Sequence, residues 1–191
     1  DRPLATIAQS RWDAWGHREK RHDRSQCTAA VEMNAPDGPT LLDLEREVRQ
    51  HGSAIKGAEL QGCWILQGAW PKGKTTPSPL SNWVLRGLKA RLELATTNGP
   101  ELAICNAVNL GPLLLRFQGK AELLGRRPLL MFQFNALEIT LWGRRVLQRS
   151  LPSPAPQRRP FFALIARDPS GWLAARGRGG GLALWTLAEP G

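Results

Sequence analysis

The feature that most constrains this chain is a succession of short apolar segments that begins near Leu60 and continues almost to the end. Each segment is apolar or alternates apolar with polar residues, and turn-forming stretches separate it from the next. Because short strands joined by tight turns build antiparallel sheets, we predict a mainly β fold closed into a barrel or folded as a sandwich. The predicted strands are residues 63–70, 84–96, 101–108, 113–124, 128–134, 136–142, 144–151, 161–167, 172–176 and 182–187.

A short helix is predicted in front of the strands. Thr40 is the predicted N-cap, Asp43 follows three residues later as in a capping box, and apolar residues recur at helical spacing until Gly52. The residues before this helix are polar and interrupted by helix breakers, and they do not share its pattern. We therefore divide the chain into an N-terminal arm at residues 1–39 and a β domain at residues 40–191.

The alternation within the strands indicates which side chains face inward. Leu137, Ile139 and Leu141 point to one face of their strand, and Glu138 and Thr140 point to the other. The residues predicted to line the interior in this way are Trp64, Leu66, Leu130, Phe132, Phe134, Leu137, Ile139 and Leu141. Such a lining is either a filled core or the wall of a lipophilic cavity, because barrels of about eight strands include both kinds.

Counting the predicted turns gives a position for the basic residues. In an up-and-down meander the turns at Gly125, Gly143 and Asp168 lie at one end of the barrel, and the turn at Asn135 lies at the other. This count predicts one basic rim, made of Arg126, Arg127, Arg144, Arg145 and Arg167 and joined by Lys72 and Lys74. We interpret the rim as a surface for anions or for a partner protein; the alternative is a set of solvated turn tips.

The charge of the chain favours anionic partners. Lysine and arginine number 26 against 16 aspartate and glutamate, a formal net charge of +10. All of the excess lies after Gln50, where 18 basic residues face 7 acidic ones. A lipid surface or an acidic protein face fits this balance. Nucleic acid is not expected as a partner, because the basic residues are not interleaved with aromatics in a repeated module.

Several segments resemble a known family when they are taken in order. Leu60-Gln-Gly-Cys-Trp-Ile-Leu66 resembles the opening strand motif of the plastid lipid-associated proteins, also called fibrillins or plastoglobulins. The preceding helix, the Asn-Ala-Val stretch at residues 106–108 with its following strand, and the closing hairpin at residues 172–185 are similar to later parts of the family pattern. The acidic Tyr-Leu-Asp element of the family is not recognisable at residues 167–171, and residues 1–39 lie outside the pattern.

The resemblance implies a lipocalin-like barrel at the thylakoid or plastoglobule surface of a plastid, or at a cyanobacterial thylakoid. It implies a peripheral, non-enzymatic protein that binds or shields a carotenoid, a quinone or a lipid. An alternative is an accessory subunit docked on a photosystem or antenna assembly through residues 1–39. In that case Trp12 and Trp15, which are amphipathic anchors, would lie against the partner together with the basic rim.

The chain has few residues in positions where they could catalyse a reaction or bind a metal. His17, His22 and His51 all precede the predicted barrel, and beyond His51 the one aspartate is Asp168, which reads as a turn residue. This composition excludes a Ser/His/Asp or Cys/His site inside the barrel. The three cysteines show no metal-ligand spacing, and no metal site is predicted: Cys27, Cys63 and Cys105. No apolar run is long enough for a membrane span.

Overall fold

Helix α1 (Gly38–His51) is the first element of the computed structural model, which describes residues 35–74 and 90–188. The side chain of Asp37 caps its start by accepting a hydrogen bond from the backbone N–H of Thr40 at 2.9 Å. The helix ends at Gly52, as predicted, with a φ of 80°. The predicted N-cap Thr40 is wrong. Asp37 takes that role, because Pro39 is tolerated in the first turn of a helix, where no intrahelical partner awaits its missing N–H.

Nine strands follow the helix, and they account for most of the described chain. A 3-10 turn at Gly57–Leu60 precedes the first strand, and a second one at Pro156–Arg158 lies in the connection after the sixth. The strands are β1 (Gly62–Trp70), β2 (Arg91–Thr96), β3 (Leu102–Leu110), β4 (Leu113–Leu124), β5 (Leu129–Leu141), β6 (Arg144–Ser150), β7 (Phe161–Asp168), β8 (Trp172–Gly177) and β9 (Leu182–Leu187).

The strands form one antiparallel sheet that closes on itself. Starting from β1, the order around the ring is β1, β2, β3, β4, β5, β7, β8 and β9, and β9 pairs with β1 again. Eight strands therefore make a closed, barrel-like ring, and the predicted mainly β, antiparallel fold is confirmed at this level. β6 is not part of the ring; within the described residues it pairs with β5 alone.

β5 corrects the predicted strand count. The sequence predicts a turn at Asn135 between two strands, whereas β5 runs through this position as one strand of 13 residues. Its pairing with β4 shifts register beside Gln118 and Gly119, so Asn135 is the extra residue of a β-bulge. Gly119 permits this close pairing, because a Cβ at that position would lie 1.8 Å from the carbonyl oxygen of Gln133.

The length of β5 creates a part of the sheet that extends past the ring. β5 pairs with β7 only at Leu129–Met131 and with β6 only at Ala136–Leu141. The second half of β5 is held by β4 and β6 instead, and β3 flanks β4. We call residues 108–118 and 136–150 the extension. At a rise of about 3.3 Å per residue, residues 136–141 alone add about 20 Å of strand.

The ring encloses the main hydrophobic core. Trp64, Ile104, Leu130, Leu164 and Trp185 are buried members of one cluster that receives side chains from every strand of the ring. Four contacts between aromatic side chains connect β4, β5, β7 and β9. The centroid distances are 5.7 Å for Phe117 and Phe134, 5.4 Å for Phe134 and Phe132, 5.0 Å for Phe132 and Phe162, and 5.3 Å for Phe162 and Trp185. The inward face predicted from the alternation is therefore correct in the ring.

Helix α1 covers part of the outer face. Its buried Leu41 packs in a second cluster with Trp70, Ile165 and Leu184, which point outward from β1, β7 and β9. Leu41 and Leu44 lie three residues apart, and Val48 continues the same helical face. The helix is thus fixed to one side of the ring, and this position determines what the neighbouring arginines can contact.

Candidate functional site

The predicted basic rim is divided between two ends of the sheet. Because β5 is a single strand, the turn after β4 at Gly125 and the turn after β5 at Gly143 lie at opposite ends of it. The prediction that the four arginines of these turns share one rim is therefore wrong: Arg126 and Arg127 lie at one end, and Arg144 and Arg145 at the other. The error follows from interpreting the bulge at Asn135 as a turn.

At the first end, the arginines serve the packing of helix α1. The guanidinium of Arg127 lies 3.5 Å from a carboxylate oxygen of Glu45 on α1. The carbonyl of Arg126 sits so close to Gly52 that a Cβ on Gly52 would lie 2.6 Å from its oxygen. This turn therefore closes against the end of α1. The Arg126 side chain is exposed and remains available for an anion.

Glu45 is the centre of a buried charge cluster that sequence reasoning missed. Its side chain is 5% exposed, and Arg176 on β8 donates hydrogen bonds to both of its carboxylate oxygens, at 2.7 and 2.5 Å. Arg49 adds a hydrogen bond at 2.9 Å from the next turn of the helix. The available signal was the spacing of four between Glu45 and Arg49 on the face that carries Leu41 and Val48.

The cluster controls the ionisation of Glu45. Burial by itself raises the pKa of this carboxyl group, but the hydrogen bonds and charges of Arg176 and Arg49 outweigh burial and lower the pKa from 4.5 to about 2. The carboxylate is therefore charged at any physiological pH. Its role is to fix α1 and the turn at Arg127 to the ring.

The other predicted rim residues are also placed by the structure. The guanidinium of Arg167 lies 5.8 Å from the centre of the Trp64 indole and donates to the carbonyl oxygen of Glu59 at 3.2 Å. Its side chain therefore packs against the protein. Lys72 and Lys74 are exposed beyond the end of β1, where the stem of Lys72 lies against Gly180. The turn after Arg167 lies at the same end of the ring as the turn after β4, as predicted, whereas Lys72 and Lys74 follow β1 at the opposite end.

At the second end, the hairpin of β5 and β6 has an unusual turn. Trp142 and Gly143 form a two-residue connection, and both have positive φ values, 46° and 76°. This pattern is that of a type I′ turn, in which asparagine or glycine is the preferred first residue. The backbone N–H of Trp142 donates to the carbonyl oxygen of Pro112 at 2.9 Å, so the turn adjoins the one between β3 and β4.

The side chains of this hairpin are exposed apolar groups among arginines. The side chain of Trp142 is 74% exposed, Val146 is 58% exposed and Leu147 is 45% exposed; Leu110 from the neighbouring turn is 42% exposed. All seven residues of β6 are exposed. Residues 144–161 contain five arginines and no acidic residue. We call Leu110, Trp142 and residues 144–147 the hairpin tip.

The residues predicted to line a cavity fall into two groups. Trp64 and Leu130 have no exposed surface, Phe132 is 8% exposed, and Leu66 and Phe134 pack on the same cluster, so these five lie inside the ring among tightly packed neighbours. Leu137, Ile139 and Leu141 are half-buried and lie on the extension. The bulge keeps them on the face of β5 that carries Phe132 and Phe134. Leu141, Ile139 and Leu137 thus form an apolar track that leads from the hairpin tip toward the ring.

Two depressions on the described surface have charged linings. One, of about 400 Å³, lies at the end of α1 and includes His51, Ile55 and Arg126. The other, of about 240 Å³, lies on the outer face of the sheet and includes Glu101 and Lys120, whose charged groups are 2.7 Å apart. The first combines Ala54, Ile55 and Pro128 with the charged Arg126, and the second is lined mainly by charged and polar groups.

Cys63 lies on β1, and Cys105 lies on β3. Cys105 is fully buried on the outer face of β3, and this burial, helped by the negative charge of Glu93, raises the pKa of its thiol to about 12. The thiol therefore stays protonated and is a poor nucleophile. Within residues 35–74 and 90–188, no three His, Cys, Asp or Glu side chains gather where they could hold a metal ion.

The predicted arm lies almost wholly outside the described residues. Trp12, Trp15 and the contacts expected of residues 1–34 are not covered, and neither is Cys27. Comparison with models of protein families and with curated proteins gives no match for this chain. The resemblance to plastid lipid-associated proteins therefore stays a prediction. No helix in the described ranges has the length and apolar character needed to cross a membrane.

The cluster around Glu45 gives a pH dependence with a definite sign. A carboxyl group whose pKa is about 2 when folded and 4.5 otherwise stabilises the fold above pH 4.5, and this stabilisation is lost as the pH falls toward 2. Between pH 4.5 and pH 2, the free energy of unfolding of the wild type should fall by roughly 3 kcal/mol more than that of Glu45→Gln. Urea titration at each pH measures both. The control is Glu47→Gln, an exposed change on the same helix; equal slopes for the wild type and Glu45→Gln would contradict the assignment.

Proposed function

We propose that this chain is a non-enzymatic, peripheral protein of anionic lipid surfaces, and that the hairpin tip is the part that enters the lipid interface. The observation that carries the proposal is Trp142, a large aromatic side chain that is 74% exposed at a turn position with a φ of 46°. A tryptophan with an apolar body and an N–H group is suited to the boundary between lipid headgroups and hydrocarbon.

The backbone conformation of Trp142 supports this proposal. A bulky residue at positive φ costs of the order of 1 kcal/mol relative to glycine, and asparagine adopts that region more readily. Among the described residues, the indole belongs to neither hydrophobic cluster, so core packing does not offset the cost. A residue that is unfavourable for its own turn and is not needed for packing is best explained by a contact with something outside the fold.

The charges at the hairpin tip support an anionic surface. Arg144 is exposed, and Arg145 keeps a side chain that is 60% exposed although Glu138 lies 3.7 Å away. Each arginine near an anionic membrane contributes about 1 kcal/mol of binding. Arginines beside an exposed tryptophan and exposed aliphatic groups combine electrostatic attraction with shallow insertion.

The apolar track of the extension supports contact with a lipophilic molecule. Leu137, Ile139 and Leu141 are half-buried, whereas Trp64 and Leu130 inside the ring are fully packed. We therefore assign the shielding of a carotenoid, quinone or lipid to the track and not to the ring interior. Covering it with hydrocarbon would gain about 25 cal/mol per Å² of apolar surface.

The resemblance to plastid lipid-associated proteins supports a thylakoid or plastoglobule surface as the location, and a lipocalin-like barrel as the fold. The alternative role, an accessory subunit on a photosystem or antenna assembly, depends on residues 1–39. Only residues 35–39 of that segment are described, so this alternative stays a prediction.

The replacement Trp142→Asn separates lipid binding from stability. Asparagine fits the turn, so the free energy of unfolding should stay the same or rise by up to about 1 kcal/mol. Binding to vesicles of phosphatidylglycerol and phosphatidylcholine should fall roughly tenfold, because the interfacial anchor is lost. Sedimentation with vesicles and urea unfolding measure the two effects. Unchanged vesicle binding by a stable Trp142→Asn protein would refute the proposal.

The arginines of the tip give a second, charge-dependent prediction. The pair Arg144→Gln and Arg145→Gln should weaken binding to the same vesicles about 30-fold and flatten its dependence on salt, since two contributions of about 1 kcal/mol are removed. The matched control is Arg46→Gln with Arg126→Gln, which removes the same charge from helix α1 and the β4–β5 turn. Equal losses in both pairs would mean that net charge, not the hairpin tip, drives binding.

The track predicts a bound molecule in protein purified from its native source. Organic extraction followed by mass spectrometry should recover a carotenoid, quinone or lipid in a defined ratio to the chain. Ile139→Gln with Leu141→Gln should lower that ratio several-fold, because two half-buried apolar contacts are lost. Equal amounts from the wild type and the double variant would show that the molecule is held elsewhere. Extracts without any such molecule would contradict the shielding role.

A further inference from the structure

β6 lies at the edge of the sheet, and its pairing with β5 contains a bulge at Val146. All seven of its residues are exposed, and within the described residues its backbone pairs with β5 on one side only. The opposite side presents peptide N–H and C=O groups in extended conformation, a template for an added strand. The edge is also apolar at its middle, because Val146 and Leu147 are 58% and 45% exposed.

The charge of β6 decides which strand can be added. Arg144, Arg145 and Arg149 give the strand three positive charges, and it has no negative one. Two copies of β6 paired with each other would bring six arginines together with one nearby carboxylate per copy, that of Glu138 at 3.7 Å from Arg145. Like charges in cross-strand pairs are destabilising. A second copy of this edge is therefore a poor occupant. An acidic segment meets no such repulsion.

We propose that β6 binds an extended acidic segment of another protein as an additional strand of the sheet. This interaction goes beyond the proposed function, because it uses the backbone edge of residues 146–150 and does not need the lipid-facing Trp142. Backbone hydrogen bonds would supply affinity, and side chains on alternate positions would supply selectivity.

The register of β6 on β5 defines the partner further. Arg149 is paired with Leu137 and Leu147 with Ile139, so these two side chains share the apolar face of the extension. Arg145 is paired with Thr140 and faces the other way. The segment that fits best has an aliphatic residue opposite Leu147, a glutamate on the same face opposite Arg149, and a second glutamate on the other face toward Arg145.

The test uses the full chain and a capped seven-residue peptide of valine and glutamate, with valine at the position opposite Leu147 and glutamates at the positions opposite Arg149 and Arg145. We expect binding to slow hydrogen exchange of amides within residues 144–150 at least tenfold. The control peptide is the same sequence with every backbone nitrogen methylated, which keeps the side chains and charges but has no N–H donor. Its affinity should be at least tenfold lower, because strand addition needs backbone donors.

Two protein variants separate this proposal from the lipid proposal. Arg149→Gln should weaken peptide binding several-fold, and Trp142→Asn should leave it unchanged while it lowers vesicle binding. Equal affinity for the methylated peptide would show simple charge attraction and overturn strand addition. Protection of amides outside β6, or no binding of either peptide, would overturn it as well. Failure of vesicle binding alone would leave this result intact.

Discussion

The continuous pairing of β4 with β5 is the constraint on which the rest of the structure depends. Twelve residues of β4 and thirteen of β5 stay paired through a single bulge. β7 uses only the first three residues of β5 to close the ring, so the remainder of the strand must leave it. Ring, extension, edge strand and hairpin tip are therefore consequences of one long strand pair.

The same strand pair explains why the charges at its two ends have different roles. At the β4–β5 turn, Arg127 meets Glu45, whose carboxylate is already held by Arg176 and Arg49, and its charge is used inside the molecule. At the β5–β6 turn no helix of the described residues covers the surface, and the arginines stay exposed. Sequence spacing alone gives both turns the same appearance, because two arginines follow a glycine in each.

The sequence predicted what is local and periodic. Trp64, Leu130 and Phe132 were correctly assigned to the interior, because strands alternate with period two and the ring encloses one face. Asn135 was assigned wrongly, since a single asparagine between apolar stretches fits a turn or a bulge, and only the distant β4 decides between them. One signal was present in the sequence. The inward residues have even numbers up to Phe134 and odd numbers from Leu137, and a bulge produces such a shift.

Trp142 is the position at which local preference and the observed structure disagree most. Leu141, Gly143 and the two flanking strands are consistent with a type I′ hairpin, and asparagine would complete it. Natural sequences are consistent across levels except where another requirement competes with folding. At Glu45 a conflict of this kind, a buried charge, is resolved within the molecule by Arg176 and Arg49. At Trp142 the described residues offer no such internal partner for the indole, which is why the hairpin tip, and not the packed interior of the strand ring, carries the functional proposal.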